Sequence, residues 1–136
     1  MNDRFRFRAW DKKNKRMLYN IQDAYDDGGV EDEKGNEVVD CSADCFSYFF
    51  PYDNDKNEGF IVEQCTGLKD KNGRLIYEGD IVFYGGVELW WVVFEEKYCS
   101  FELLRKDGNG LSMSAHKEMT VVGNIHENPE LLEEQK

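Results

Sequence analysis

Cysteine and histidine side chains are the first candidates for chemistry, because thiolates and imidazoles can bind zinc or form a nucleophile and its base. The chain contains Cys41, Cys45, Cys65, Cys99, His116 and His126. Cys41 and Cys45 could supply two zinc ligands, but the other four residues follow at no recognised zinc spacing. No phosphate-binding glycine loop, nucleophile elbow or HExxH sequence occurs. The sequence therefore predicts free thiols, no metal, no cofactor and no enzymatic activity.

A segment rich in acidic and amide side chains, DNDKNEGFIVEQ at residues 53–64, partly matches a calcium-binding loop. Its first, third and fifth positions carry oxygen ligands, as such a loop requires. Glu58 occupies the sixth position, which needs glycine for the turn, and Gln64 replaces the final bidentate glutamate. We therefore expect a solvated turn and no calcium site.

The stretch TGLKDKNGRLIYEGDIV, residues 66–82, combines turn residues with a pair of carboxylates. Glu78 and Asp80 could form a catalytic or metal-binding pair, because alternate residues of an extended chain face the same side. No histidine lies near them in the sequence. We favour an architectural role for the turn residues Gly73, Glu78, Gly79 and Asp80. Glycine permits the sharp bends, and the Asp80 carboxylate can accept a backbone hydrogen bond.

The dense basic patch of the chain lies at its N-terminus. Residues 1–16 contain seven Lys or Arg against two Asp, although the whole chain has a net charge of −11. The basic residues are Arg4, Arg6, Arg8, Lys12, Lys13, Lys15 and Arg16. Alternation places the first three on one face of a strand, and the others lie in the adjoining turn. The patch either neutralises acidic surface of the protein or of an adjacent subunit, or contacts phosphates of a nucleic acid.

Trp90 and Trp91 are the candidates for a protein interface. Consecutive strand residues face opposite sides of a sheet, so only one of the two can enter a barrel core. Large exposed aromatic side chains often mark interfaces. The alternative is that a further layer covers the outer side and both side chains pack in a core.

Strands and turns must position these side chains. RFRFRAW, residues 4–10, alternates basic with apolar residues, which predicts a half-buried strand, and MLYNI, residues 17–21, is its predicted hairpin partner. Residues 22–44 are acidic and lack an apolar period, which predicts a long loop with one weak hairpin at KGNE. CFSYFFPY, residues 45–52, ends near a proline, and we interpret it as a short helix packed on the sheet.

Six short runs rich in β-branched and aromatic residues occupy the second half, each bounded by turn residues. They are GFIVEQC, RLIY, DIVFY, VELWWVVF, YCSFELL and EMTVVGNI. Such runs without intervening helices predict an antiparallel barrel or sandwich, and ENPELLEEQK predicts a brief terminal helix. The predicted fold is mainly β. An N-terminal β-hairpin and irregular acidic segment at residues 1–65 precede an SH3-like antiparallel β-barrel with a short C-terminal helix at residues 66–136, packed as one unit.

Composition is typical of a globular protein. Of the 136 residues, 40 % are hydrophobic and 14 % aromatic, which is enough for a core without a disulfide or metal. No apolar run approaches the length of about 18 residues that spans a bilayer, and the start lacks a secretory signal. We therefore expect a soluble, cytoplasmic protein with no membrane partner.

Three blocks of the sequence resemble the YopX family of phage and prophage proteins. The blocks FRAWDKKNKRM, TGLKDKNGRLIYEGDIV and VVGNIHENPELL cover about 40 of 136 residues in this order. The resemblance implies a mainly β accessory protein of a phage genome inside a bacterial host cell. It implies no activity, cofactor or catalytic residue. His126 departs from the family pattern, which often has an aromatic there, and residues 22–58 match no recognised pattern.

The absence of a catalytic constellation, together with many aromatic strand residues, predicts a non-enzymatic module that binds a host or phage protein. We also expect a homo-oligomer formed through strand edges and aromatic side chains. One alternative is a nucleic-acid-associated protein that binds through its basic N-terminal hairpin. Another is an acidic mimic of DNA, which rests on net charge alone.

Overall fold

The chain divides into two compact units, Met1–Gln64 and Cys65–Lys136. The computed structural model describes residues 3–24, 29–38, 49, 59–85 and 88–133. Within these residues the fold is mainly β, and every pair of neighbouring strands is antiparallel. The predicted mainly β fold class is confirmed.

Nine strands occur among the described residues. They are β1 (Phe7–Asp11), β2 (Arg16–Tyr19), β3 (Phe60–Lys69), β4 (Leu75–Tyr77), β5 (Asp80–Tyr84), β6 (Glu88–Glu95), β7 (Ser100–Leu104), β8 (Gly110–Ser112) and β9 (Thr120–Asn124). Among the described residues, the helical segments are the 3₁₀ helices Asp3–Phe5, Ile21–Asp23 and Met113–Glu118 and the short C-terminal helix Glu130–Glu133, and Phe49 is also helical. None of the described helices is long and apolar enough to cross a membrane.

The first strand is shorter than the alternation of RFRFRAW predicts. Asp3–Phe5 forms a 3₁₀ helix, in which the Arg6 amide donates to the Asp3 carbonyl (3.1 Å) and the Arg6 guanidinium donates to the Asp3 carboxylate (2.9 Å). Phe5 is consequently 56 % exposed, and β1 begins at Phe7. Local hydrogen bonds to an aspartate therefore outweigh the two-residue period at this end of the strand.

In the first unit, β1 pairs with β2 on one side and with the Phe60–Gln64 part of β3 on the other. Its core consists of Ala9, Leu18, Ile21, Ala24, Val30 and Phe49. Glu31 bridges to Tyr19 and to Glu37, so the acidic loop contains a tight turn near the KGNE sequence. Of residues 45–52 only Phe49 is described, and the predicted helix there otherwise lies outside the described residues.

In the second unit, five strands form a sheet in the order β8-β7-β6-β5-β9, and the rest of β3 pairs with β4. The core consists of Ile76, Val82, Trp90, Val92, Leu103, Met113, Met119 and Val121. Five of these residues alternate along β5, β6, β7 and β9, which places them on one face of the sheet. The closure of these strands into an SH3-like barrel stays a prediction.

Candidate interaction surface

The two adjacent tryptophans of β6 lie on opposite faces of the five-stranded sheet. Trp90 is 5 % exposed and belongs to the core of the second unit. Trp91 points to the other face and is half-buried. The difference follows from the pleat of a strand, in which successive side chains alternate.

We use the name outer face for the side of the five-stranded sheet opposite its core. Its partly exposed apolar residues are Phe83, Leu89, Trp91, Val93 and Leu104. They are neighbours across strands, since Phe83 is opposite Leu89 and Trp91 is opposite Leu104. The other cross-strand neighbour of Trp91 is Ile81, which is fully buried. The register thus gathers five large apolar side chains that are widely spaced in the sequence.

The outer face becomes acidic towards the far end of β6. Glu95 follows Trp91 and Val93 on the same side of β6, and Glu102 is opposite Val93 on β7. The Ser100 hydroxyl lies 3.0 Å from the Glu102 carboxylate, to which it donates a hydrogen bond. None of the strands β5 to β9 contains a lysine or an arginine. The surface therefore combines apolar side chains with negative charge.

Arg105, immediately after β7, is held by its neighbours. Its guanidinium lies 5.2 Å from the centre of the Trp90 ring and donates to Glu88 (2.7 Å) and Asp107 (3.0 Å). The hydrogen bond to Asp107 is the largest influence that raises the pKa of Arg105, and it correspondingly lowers the pKa of Asp107. Sequence reasoning missed this cluster, because no spacing rule links Glu88 to Arg105. Two carboxylates neutralise this cation, so it does not make the sheet basic.

The predicted turn residues of the stretch 66–82 range from exposed Gly73 to buried Gly79 and Asp80. Gly73 and Gly79 have φ of +81° and +87°, a region that glycine adopts without strain. The Gly79 amide donates to the carbonyl of Val92 (2.8 Å). The buried Asp80 carboxylate accepts from the Tyr77 amide (2.8 Å), whereas Glu78 is half-buried.

Asp70, in the same stretch, is a buried carboxylate that sequence reasoning missed. Its two oxygens accept hydrogen bonds from the amides of Asn72 and Arg74 (both 2.9 Å) and of Val121 (3.0 Å). Burial is the largest single influence and opposes ionisation, but the N–H groups of Val121, Arg74 and Asn72 together outweigh it and lower the pKa of Asp70. The local sequence DKNG signals the turn, but nothing in it signals the bond to Val121 in β9.

The predicted basic patch does not form one face. Arg8 is buried, with its Nε 3.0 Å from a carboxylate oxygen of Glu63, and Arg16 is bonded to Asp11 (3.2 Å). Lys12, Lys13 and Lys15 lie exposed in the turn between β1 and β2. Arg4 and Arg6 lie before the other end of β1. The structure therefore divides the seven basic residues into separate groups.

The candidate cysteine ligands are only partly described. Cys65 is buried, Cys99 is exposed, and neither is in a disulfide with a described residue. Cys41 and Cys45 lie outside the described residues. Within the described part of the chain, no three His, Cys, Asp or Glu side chains gather as metal ligands.

The histidines and the calcium-like segment lie in different surroundings. The Nδ1 atom of His116 is 2.7 Å from the carbonyl oxygen of Lys69, and the amide of His126 donates to the Asn124 side chain (3.0 Å). Residues 53–58 of the calcium-like segment lie outside the described residues. The end of that segment, from Phe60, is part of β3, as the run GFIVEQC predicts.

A comparison with protein families identifies the family of the chain. The family model described as YopX protein matches residues 6–133. The chain belongs to the YopX family. The resemblance carried by the three sequence blocks is thereby confirmed. No curated protein matches the chain.

Among solved structures, this member of the YopX family is similar to protein EF1440 from Enterococcus faecalis, known from a crystal structure. The two are 28 % identical, the match covers 93 % of this chain and 96 % of that chain, and the TM-score is 0.54. The likeness therefore extends over almost the full length of both proteins. The name of that protein states no activity, ligand or partner, so function must be argued from the geometry of the surface.

Proposed function

We propose that this YopX-family chain is a non-enzymatic protein-binding module whose outer face docks onto a partner with an apolar centre and a basic rim. One observation carries the proposal. Five large apolar side chains stay partly exposed beside carboxylates on a sheet whose strands contain no lysine or arginine. Burying such side chains stabilises a complex, while complementary charge guides the encounter and selects the partner.

The charge of the sheet argues against pairing of two outer faces from two copies of the chain. A two-fold interface would bury Glu95 and Glu102 of one copy against an outer face that also carries carboxylates and has no cation on its strands. Like charges at an interface oppose association. The partner of the outer face is therefore a different protein, and homo-oligomerisation through strand edges is a separate proposal.

The biological setting is part of the proposal. The chain would act as an accessory protein of a phage or prophage, in the cytoplasm of the bacterial host. Its partner is a host or phage protein with lysines or arginines around an apolar contact surface. No reaction step is assigned to the chain, because the proposal rests on binding alone.

Capture with a photo-crosslinker tests the proposal directly. A photoreactive phenylalanine analogue is placed at Val93, and the tagged protein is exposed to nuclease-treated host lysate with and without illumination. We expect crosslinks to one protein whose attached peptide contains or flanks basic residues. Capture by the wild type should weaken as salt rises, because the rim contacts are charged.

Two matched variants separate the outer face from general exposure of aromatic groups. The outer-face variant Phe83→Ser/Trp91→Ser should lose the partner, whereas Phe94→Ser/Tyr98→Ser should keep it. Phe94 and Tyr98 are 44 % and 65 % exposed but do not belong to the outer face. Circular dichroism and thermal unfolding must show that both variants fold. Equal retention of the partner by both variants, or no crosslinked protein from wild type, refutes the proposal.

A further inference from the structure

The hydrogen bonds of the N-terminal hairpin leave three lysines available to a ligand. We call Lys12, Lys13 and Lys15, in the turn between β1 and β2, the lysine tip. All three are exposed and form no ion pair with any described residue. The lysine tip therefore keeps a local charge of +3 within a chain of net charge −11.

The arginines of the same hairpin are committed to carboxylates. Arg8 is buried against Glu63, and Arg6 donates to Asp3. Both are therefore unsuited to meet a large anionic ligand without losing an existing ion pair. This leaves the lysine tip, and not Arg6 or Arg8, as the candidate for contact with an anion.

A buried aspartate fixes the backbone beneath the lysine tip. One oxygen of Asp11 accepts from the amides of Lys13 and Asn14 (both 3.2 Å), and the other accepts from the Asn14 side chain (2.8 Å) and from Arg16 (3.2 Å). Burial, the largest influence, opposes ionisation of Asp11, yet the bonds from Asn14 and Arg16 outweigh it and lower its pKa. The turn thus presents its lysines from an ordered loop, which reduces the entropy lost on binding.

An exposed aromatic side chain, suited to stacking on a nucleobase, lies just before the other end of β1. Phe5 is 56 % exposed, and the Arg4 guanidinium lies 5.9 Å from the centre of its ring. A strand of five residues, rising about 3.3 Å per residue, separates Phe5 from the lysine tip by roughly 17 Å. An exposed ring and a group of cations at this separation fit a ligand that alternates flat bases with phosphates over several nucleotides.

We propose that the N-terminal hairpin binds single-stranded nucleic acid without sequence preference. Phosphates contact the lysine tip, and a base stacks on Phe5. Lysine acts here as a point charge for phosphate, and stacking tolerates any base because every base has a π face. The remainder of the chain is acidic and repels phosphates, so the contact is confined to the hairpin and its affinity depends steeply on salt.

Phe5 favours a nucleic acid over an acidic protein segment. Carboxylates of a protein partner would satisfy the lysine tip equally well, but they offer no flat ring to stack on Phe5. Double-stranded nucleic acid keeps its bases stacked inside the helix, so it too leaves Phe5 without a partner. A single strand is the ligand that uses both ends of β1.

The test is fluorescence anisotropy with a labelled oligothymidylate and the full chain. Three phosphate contacts predict a slope of about −2 for the logarithm of the association constant against the logarithm of salt concentration. The variant Lys12→Ala/Lys13→Ala/Lys15→Ala should abolish binding and the slope, and Phe5→Ala should weaken binding at least fivefold with the slope unchanged. The control is Lys69→Ala/Lys71→Ala/Lys117→Ala, which removes the same charge from the second unit and should bind like wild type.

Two unlabelled competitors distinguish a nucleic acid from an acidic peptide as the ligand. Unlabelled oligothymidylate should displace the probe, and a polyglutamate peptide at equal charge should displace it far less. The proposal would be overturned if polyglutamate displaced the probe as well as oligothymidylate does, or if the control variant lost as much binding as the triple lysine variant. It would also be overturned if neither Phe5→Ala nor salt changed the affinity. The outcome does not depend on the outer face, because Phe83→Ser/Trp91→Ser should bind the oligonucleotide normally.

Discussion

At the scale of single residues, the buried aspartates of this chain bind main-chain amides. Asp11, Asp70 and Asp80 each accept at least one backbone N–H within the described residues. For Asp11 and Asp70, hydrogen bonds to the charged form outweigh burial and lower the pKa. These residues are therefore expected to influence stability and its dependence on pH.

Asp70→Asn should destabilise the protein by about 1–3 kcal/mol at neutral pH, because an amide cannot accept as the carboxylate does from three N–H groups. The pKa of Asp70 is lowered in the folded state, so its contribution is fully present above the usual value of 3.8. It is lost as pH falls through the lowered folded-state pKa. Urea unfolding of wild type and variant should therefore give curves that converge as pH falls below that range.

Asp32 is a matched control for this prediction. Its carboxylate also accepts from two turn amides, those of Lys34 and Asn36 (both 2.9 Å), and its pKa is also lowered, chiefly by the Asn36 amide. Asp32 is half-buried, however, whereas Asp70 is buried, so water can more readily replace the lost partners at Asp32. Asp32→Asn should cost clearly less than Asp70→Asn. Equal costs would show that burial of Asp70 and its bond across to β9 are unimportant.

Gly123→Ala tests a close approach at the end of β9. An added Cβ would overlap the side-chain amide of Asn128, whose oxygen accepts from the Asn124 amide (3.2 Å). We expect a loss of about 1–3 kcal/mol, the usual cost of forcing an extra group into a packed site. In an Asn128→Ala background the same substitution should cost clearly less, because only the Cβ at position 128, 3.1 Å away, then remains close. A double-mutant cycle by urea unfolding measures this coupling, and strictly additive losses would contradict it.

At the scale of elements, the sequence predicts strand identity better than strand ends. Alternation in RFRFRAW identifies β1, but it cannot show that Asp3 bonds to Arg6 and converts the first residues into a 3₁₀ helix. It also places Arg8 on the polar side of a half-buried strand. The structure buries Arg8, because β3 brings Glu63 opposite it from 55 residues further along the chain. Pairing at that separation is invisible to a local pattern.

Replacing one member of the buried pair Arg8 and Glu63 should destabilise the protein more than replacing both. Their side chains are 1 % and 5 % exposed, so removing one partner leaves a buried charge that has lost this ion pair. Arg8→Met should cost about 3–5 kcal/mol, and Arg8→Met/Glu63→Met should recover most of that loss. Thermal and urea unfolding measure both. The control Arg6→Met, which breaks the half-exposed pair with Asp3, should cost less than about 1 kcal/mol.

At the scale of the whole molecule, composition and patterning predict the fold class, and the resemblance of three sequence blocks predicts the family, but of the candidate surface the sequence indicates only Trp91. Trp91 follows from the pleat alone, because it must face away from Trp90. Phe83, Leu89 and Leu104 become its neighbours through strand register, which short-range patterns do not define. Arg8 misleads for the same reason, since its ion-pair partner Glu63 is distant in sequence, whereas Arg6 and Arg16 pair locally with Asp3 and Asp11. Charge was therefore the less reliable guide and apolar alternation the more reliable one.

The effect of the net charge on stability can be tested by measuring unfolding at different salt concentrations. A net charge of −11 in a chain of this size destabilises the compact state by self-repulsion. The Debye length falls from about 30 Å at 0.01 M salt to about 8 Å at 0.15 M, so most of this repulsion is screened over that range. The free energy of unfolding should rise on the order of 1 kcal/mol, equivalent to roughly 4 °C in Tm.

Two charge variants separate this general repulsion from individual ion pairs. Self-repulsion scales with the square of the net charge. Changing the exposed residues Glu96, Glu118 and Glu133 to Gln gives a net charge of −8 and should reduce the salt gain to about half. Changing the exposed residues Lys69, Lys71 and Lys117 to Gln gives −14 and should increase the gain by roughly 60 %. If salt instead destabilised all three proteins equally, the ion pairs of Arg8, Arg16 and Arg105 would dominate, because screening weakens attraction as well as repulsion.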